Sequence, residues 1–288
     1  MSNVLAKGID LSVHNGKVDF QKVKAAGIKF VMLRLGYGAI GKNPCKMDAN
    51  FETYLNDARK VGLDVGCYFY SYALSPMQTQ AEANWVVKAL SKYKGVFTYP
   101  VCFDLEDSTQ EDLGKETLSL MVNLFCSTLE KAGYYTALYS NLAWLNYRLN
   151  PTTIKHYDVW LAQWASKPRY KSSFGLWQYS NVGKVNGITT DVDLNYAYTD
   201  YPSLIKSKGL NGFPKSTTNS SNPSADKLQK GELVKIKRGA KTAAGSPLEN
   251  YVLNSVFKVQ SINGNKITLV PASSRAITIN LTDLSKEV

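Results

Sequence analysis

Histidine is nearly absent from this chain: two occur in 288 residues, His14 and His156, in unrelated stretches. That count excludes a histidine-rich metal site and leaves a cysteine–histidine nucleophile without a frame. The four cysteines, Cys45, Cys67, Cys102 and Cys126, are widely spaced and show no metal-ligand interval. Cys67 and Cys102 lie in apolar runs, so buried free thiols are expected, as suits a reducing compartment. No apolar run nears the ~20 residues of a membrane-spanning helix, so membrane insertion is not expected. Met1–Lys7 lacks a basic segment followed by an apolar one, so no signal peptide is expected. Gly36 and Gly38 alone do not make a phosphate-cradling loop. No nucleic-acid motif is present, and no nucleic-acid partner is expected.

What the chain does have is positive charge, formally +11. More than half of it falls in residues 227–288. Such a balance favours an anionic partner. Composition is that of a globular protein, and the length suits one large domain and one small one. Residues 209–226 are rich in Gly, Pro, Ser, Thr and Asn and read as a linker between domains 1–208 and 227–288.

In the first domain, short apolar runs alternate with helical patterns. Strands are expected at Gly8–Leu11, Phe30–Leu35, Asp64–Tyr70, Val101–Leu105, Tyr135–Tyr139, Val159–Ala162, Leu176–Tyr179 and Asp191–Leu194. Asp19 is placed to cap a helix ending near Gly27. Phe51–Lys60 and Lys115–Ala132 read as helices, and Ser75-Pro76-Met77-Gln78 as a capped helix start. The alternation predicts an α/β fold of parallel units, most simply a TIM-like barrel. Helical signals shorten after Tyr139, which predicts an irregular (β/α)5(β)3 barrel; an open doubly wound sheet is the alternative. In the tail, Leu233–Lys237, Val256–Val259, Lys266–Val270 and Ala276–Leu281 predict a small all-β barrel.

The chemistry centres on acids. Val101-Cys102-Phe103-Asp104-Leu105-Glu106 ends an apolar strand with two carboxylates on one face. In a parallel barrel the C-terminal strand ends line the active-site mouth. Close carboxylates split each other's proton affinities, leaving one acid and one base near neutrality. Ion pairing with lysines or helix capping is the plain alternative. Asp10 ends the first strand, and Asp191 and Asp193 lie in the last; barrel closure would bring Asp10 and Asp193 together. Tyr68, Tyr70, Tyr72, Tyr139, Trp160, Trp164, Trp177 and Tyr179 surround the expected mouth, either as sugar platforms or as core. Gln163 and Gln178 are placed to bond sugar hydroxyls or acetamido groups.

Taken in order, G-I-D-L-S-V-H-N-G from Gly8, F-V-M-L-R from Phe30, D-L-E from Asp104, W-L-A-Q-W from Trp160, W-Q-Y-S from Trp177 and D-V-D-L-N from Asp191 resemble glycoside hydrolase family 25. The resemblance spans about residues 5–200. It implies the irregular barrel and a lysozyme activity: N-acetylmuramidase cleavage of the β-1,4 bond between N-acetylmuramic acid and N-acetylglucosamine in peptidoglycan. It makes Glu106 the general acid and gives Asp104 the substrate acetamido group. Asp10 and Asp193 would tune the site's charge, with Arg34, Tyr68, Tyr70, Tyr139, Trp160, Gln163 and Gln178 binding substrate. It implies no cofactor and no metal. Substrate-assisted retention and inversion by water both stay open. One departure is Tyr68-Phe69-Tyr70, where the family often has a histidine after the strand's tyrosine.

The tail resembles bacterial SH3-like wall-binding domains, whose basic charge would draw it to anionic wall polymers. The expected setting is a phage-type endolysin held in the bacterial host cytoplasm until released to the wall, with an exported autolysin as the other origin. Two rival functions stand beside it. A chitinase-like glycosidase would carry further aspartates upstream of the acid, where this chain has Tyr99 and Cys102. A non-catalytic wall-binding protein on the same barrel would not need the acids retained.

Overall fold

The computed structural model describes residues 3–39 and 44–215, and, in the tail, 230–231, 233–236, 242, 256–263, 266–270, 277–280 and 284–286. The chain divides into two units, 1–216 and 217–288. In chain order the first holds β1 (Ala6–Leu11), α1 (Phe20–Ala25), β2 (Phe30–Tyr37), β3 (Lys46–Met47), α2 (Phe51–Lys60), β4 (Asp64–Tyr70) and α3 (Pro76–Leu90). It continues with β5 (Val101–Asp104), α4 (Lys115–Lys131), β6 (Thr136–Asn141), α5 (Pro151–Ile154), β7 (Asp158–Ala162), β8 (Leu176–Gly183), β9 (Val192–Ala197) and α6 (Tyr201–Lys208).

Eight strands close into a barrel in the order β1-β9-β8-β7-β6-β5-β4-β2, sealed by the β1–β2 pairing; the short β3 hangs outside on β2. Five strand–helix units come first, and β7, β8 and β9 follow without helices between them, the expected (β/α)5(β)3 pattern. The helix starts follow local chemistry. Asp19 accepts from the Lys22 N–H, and Ser75 accepts from the Gln78 N–H with Pro76 behind it.

One strand departs from the expected parallel barrel. β9 runs antiparallel to both β8 and β1. The segment between Gly183 and Val192 is too short for a crossover helix, and such a link returns the chain in the opposite direction. Asp193 therefore reaches the mouth from the start of its strand, not the end.

Strand alternation sorts the side chains. On β2, Val31 and Leu33 pack outward against the helices, while Phe30 and Met32 turn into the barrel. Cys102 on β5, Ala137 and Tyr139 on β6, and Trp160 on β7 also point inward. Gly8 on β1 leaves space for the Phe30 ring; a Cβ there would sit 2.3 Å from it. The same inward phase carries Asp10, Arg34, Tyr68, Asp104 and Asn195 farther up their strands, so a greasy barrel floor gives way to a polar mouth.

Residues 209–215, expected to open the linker, are packed on the barrel. Gly209 ends α6 in the left-handed region (φ 65°). Asn211 is fully buried: its side chain donates to the carbonyls of Phe97 and Tyr99 and accepts from the Tyr135 N–H. All three groups lie just before β5 or β6, at the barrel floor. Tyr201 on α6 adds a hydroxyl bond to Asp158 (2.7 Å). The rest of the expected linker, 216–226, lies outside the described residues.

The second unit contains a five-stranded antiparallel sheet, β10 (Leu233–Ile236), β11 (Val256–Asn263), β12 (Lys266–Val270), β13 (Ile277–Asn280) and β14 (Leu284–Lys286), ordered β13-β12-β11-β10-β14. Val234, Ile236, Phe257, Val259, Ile267 and Leu269 are buried, whereas Lys258, Gln260 and Lys266 are exposed. That alternation gives the sheet one apolar face. The expected turn at Asn263-Gly264-Asn265 falls partly outside the described residues. Among those residues, no helix is long and apolar enough to cross a membrane. All four cysteines are free thiols, three of them buried.

Replacing Asn211 with alanine should strand three buried backbone groups and destabilise the barrel by about 3 kcal/mol. Urea unfolding of the two proteins measures this directly. A change below ~0.5 kcal/mol would show that the clasp contributes nothing.

Candidate active site

Four carboxylates from three strands meet at the barrel mouth. Asp10 on β1 lies directly opposite Asp193 on β9. Asp104 ends β5, and Glu106 follows two residues later, after a buried Leu105 whose N–H bonds to the Tyr139 carbonyl. Asp10 and Asp104 are buried; Glu106 and Asp193 are half-buried. Only part of such a cluster can carry charge at neutrality.

Each carboxyl is driven toward its protonated form. Burial raises Asp10 well above the usual range, and Asp193 and Glu106 add to the effect. Burial likewise raises Asp104, reinforced by Glu106 and Asp10 and opposed by the Arg34 guanidinium. Burial, then Asp193 and Asp107, push Glu106 up to about 7. Burial lifts Asp193 to about 6. Glu106 is thus close to half-protonated at neutral pH and faces an open cavity with the tips of β6 and β7.

Two amides hold Asp10 in place. Its Oδ2 accepts from Asn195 Nδ2 (2.7 Å) and Gln178 Nε2 (3.1 Å). Gln178 Oε1 accepts in turn from the Tyr139 hydroxyl and Trp164 Nε1. Asn195 Oδ1 accepts from Trp160 Nε1 (2.8 Å). These bonds fix which end of each amide faces Asp10. Asp104 differs: its Oδ1 is buried and has no donor among the described residues.

Not every expected contact residue faces the groove. Trp160 is 1% exposed and supports Tyr68 and Tyr139 edge-on, so it is core beneath the site and cannot stack on a substrate. Gln178 and Tyr139 are also buried, and each is spent on the Asp10 network. Tyr68 is half-buried among the acids; burial and the nearby Asp10 raise its hydroxyl. Tyr70 donates to Asp107 (2.9 Å) and packs on Tyr72. Arg34 pairs through Nε with Asp48 (2.7 Å) and sits over the Tyr37 ring. Gln163 does line the cavity.

Several contributors escaped sequence reasoning. Asp48 is a buried hub that holds Arg34 and accepts from the N–H groups of Val13 and Asn50. Nothing in its neighbourhood marks it. Asn195 stands in the D-V-D-L-N motif, and its inward phase two residues after Asp193 was the available signal. Among the described residues no cluster of His, Cys, Asp and Glu is arranged to hold a metal.

With this geometry in view, residues 9–188 match the family described as glycosyl hydrolases family 25. The chain belongs to that family. It is 27% identical over 190 residues to an autolytic lysozyme of Clostridium acetobutylicum, covering 66% of this chain and 55% of that protein. The modular autolysin LytC of Streptococcus pneumoniae, solved in complex with a synthetic peptidoglycan ligand, superposes with a TM-score of 0.59 at 26% identity, over 66% of this chain and 46% of LytC. A family 25 glycosyl hydrolase of Bacillus anthracis shares the fold, with a TM-score of 0.60 at 21% identity over 71% of this chain and 94% of that one. The chain thus spans about half the length of the first two relatives.

The acid cluster has a consequence for stability. Glu106 binds its proton more tightly in the fold, at about 7, than at its ordinary value of 4.5. The associated stability is complete below pH 4.5 and is lost as pH rises through 7. Glu106→Gln removes that loss. The variant should gain on the wild type between pH 5 and pH 8, by up to about 3 kcal/mol. Thermal melts across this range test it; a constant difference would mean that Glu106 titrates as an ordinary carboxylate.

Proposed function

We propose that the protein is a lysozyme-type peptidoglycan hydrolase, an N-acetylmuramidase, with Glu106 as its general acid. One observation carries the reading: a half-buried carboxyl, held up to about 7 by burial and by Asp193, lines an open cavity at the barrel mouth. Such a group keeps a proton near neutral pH and has room to give it to a glycosidic oxygen. Asp104 Oδ1, a buried acceptor without a protein donor, suits the N–H of a substrate acetamido group. Asp193, raised only to about 6, keeps negative charge near neutrality beside Asp10, and that charge favours positive charge developing at the anomeric carbon. The names of the relatives, lysozyme and autolysin, agree with this chemistry. Endolysin and autolysin roles differ in which genome supplies the enzyme, and the same site serves both.

The second unit, resembling an SH3-like domain, is proposed to bind anionic wall polymers. Its described residues hold an antiparallel sheet, and residues 227–288 within it carry a net charge of +6 out of the chain's +11. Attraction of this kind acts over ~8–10 Å at physiological salt.

Glu106→Gln should lower release of new reducing ends from purified peptidoglycan by about 10³-fold while the protein stays folded. Wild-type turnover should fall as pH rises past about 7, where the acid loses its proton. Mass spectrometry of the products should find N-acetylmuramic acid at the reducing end. N-acetylglucosamine there, or near-wild-type turnover by the folded variant, would overturn the assignment. A chain ending at Lys215 keeps the Asn211 clasp; it should hydrolyse soluble fragments normally and pellet less with walls. Equal pelleting would reject wall binding by the second unit.

A further inference from the structure

Beside Glu106, away from Asp10 and Asp193, the mouth opens into a cavity of about 630 Å3. The residues after β6 supply Tyr147, and those after β7 supply Gln163, Trp164 and Arg169. Tyr147 and Trp164 are well exposed, at 75% and 60%. The size is that of a site for a sugar ring together with a substituent.

Gln163 is the telling residue. It is only 8% exposed, and its Nε2 has no hydrogen-bond partner among the described residues. The amide cannot be turned to hide this. Its Oε1 accepts from the Arg169 backbone N–H (2.8 Å), and exchanging the two ends would set donor against donor. Its backbone is pinned as well: the N–H donates to the Gln178 carbonyl, and the carbonyl accepts from Trp177 Nε1. A buried N–H donor, locked in direction and unpartnered on a residue that lines the cavity, calls for an acceptor from outside the protein.

The surroundings indicate an anionic acceptor. Arg169 lines the same cavity, and the 165–175 segment that carries it also holds Lys167 and Lys171 and no acidic residue. The one acid on the cavity wall, Glu106, tends to hold its proton.

We propose that Gln163 Nε2 and the Arg169 guanidinium form a subsite for a carboxylate-bearing substituent of the glycan next to the cleaved bond, with Trp164 and Tyr147 flanking its sugar ring. This rests on the peptidoglycan hydrolase reading and specifies which feature of that polymer is recognised. Two sources offer the chemistry: the carboxylates of an acidic stem peptide, and the lactyl carboxylate, which is free only on a muramic acid without a stem. A neutral amino-sugar polymer offers neither.

The full-length protein tests this on soluble, teichoic-acid-free peptidoglycan fragments, either native or with their carboxylates converted to amides by carbodiimide and ammonia. Arg169→Ala alters an exposed side chain outside the acid cluster and should fold normally. It should raise KM on native fragments about tenfold, change kcat by less than about twofold, and leave KM on amidated fragments unchanged. Gln163→Glu, which keeps the size and replaces the donor with an anion, should show the same selective rise in KM. An amidase hydrolyses the lactyl amide, so stripped strands lose the stem and gain a free lactyl carboxylate. An Arg169 effect that persists or strengthens on them shows that the lactyl carboxylate fills the subsite; one that vanishes assigns it to the stem. Equal losses on native and amidated fragments, with the wild type cleaving both, would overturn the subsite alone. No cleavage of either by the wild type would overturn the hydrolase reading and the subsite with it.

Discussion

The structure turns on the crowding of negative groups in a space that water reaches only from one side. Four carboxyls brought within each other's field cannot all ionise, so the protein must hold protons there. Closure of the barrel imposes this. Asp10 and Asp193 come from opposite ends of the catalytic unit and meet only because β9 zips onto β1. A fold that failed to close would release both acids to solvent, and their pKa values would relax.

Around that crowd the protein spends its amides and indoles on support. Gln178 and Asn195 direct N–H groups at Asp10, and the indole N–H groups of Trp160 and Trp164 and the hydroxyl of Tyr139 point at the amides. Asp10 is thereby the best-braced acid of the four, whereas Glu106 stands at the edge of a cavity. Bracing suits a group whose task is to keep its place. Freedom suits a group that exchanges a proton with a ligand. The division among chemically similar side chains follows from their neighbours alone.

Much of this was legible in the chain. The D-L-E segment, the aspartates of the first and last strands, and the shortening of helical patterns after Tyr139 all carry local signals: alternation, apolar runs and turn residues. What was not legible depends on long-range pairing. The reversed direction of β9 follows from a short connection whose effect appears only once its neighbours are placed. Trp160 looked like a sugar platform because an aromatic residue on an inward strand phase reads the same whether it lies high or low in the barrel; its depth is set by register with Leu176 and Tyr139. Asp48 and Asn211 are single polar residues in unremarkable stretches, each valuable for a partner more than ten residues away. The composition of 209–215 reads as a linker, because Asn and Gly serve equally in loose chain and in a buried clasp.

That clasp has a bearing on where the first unit ends. The catalytic unit secures its own last turn to the floor of the barrel, at the end remote from the acids. The clasp and the β1–β9 pairing that brings Asp10 to Asp193 are made by residues of the first unit. A change of sequence beyond Lys215 leaves every bond of the Asn211 clasp in place.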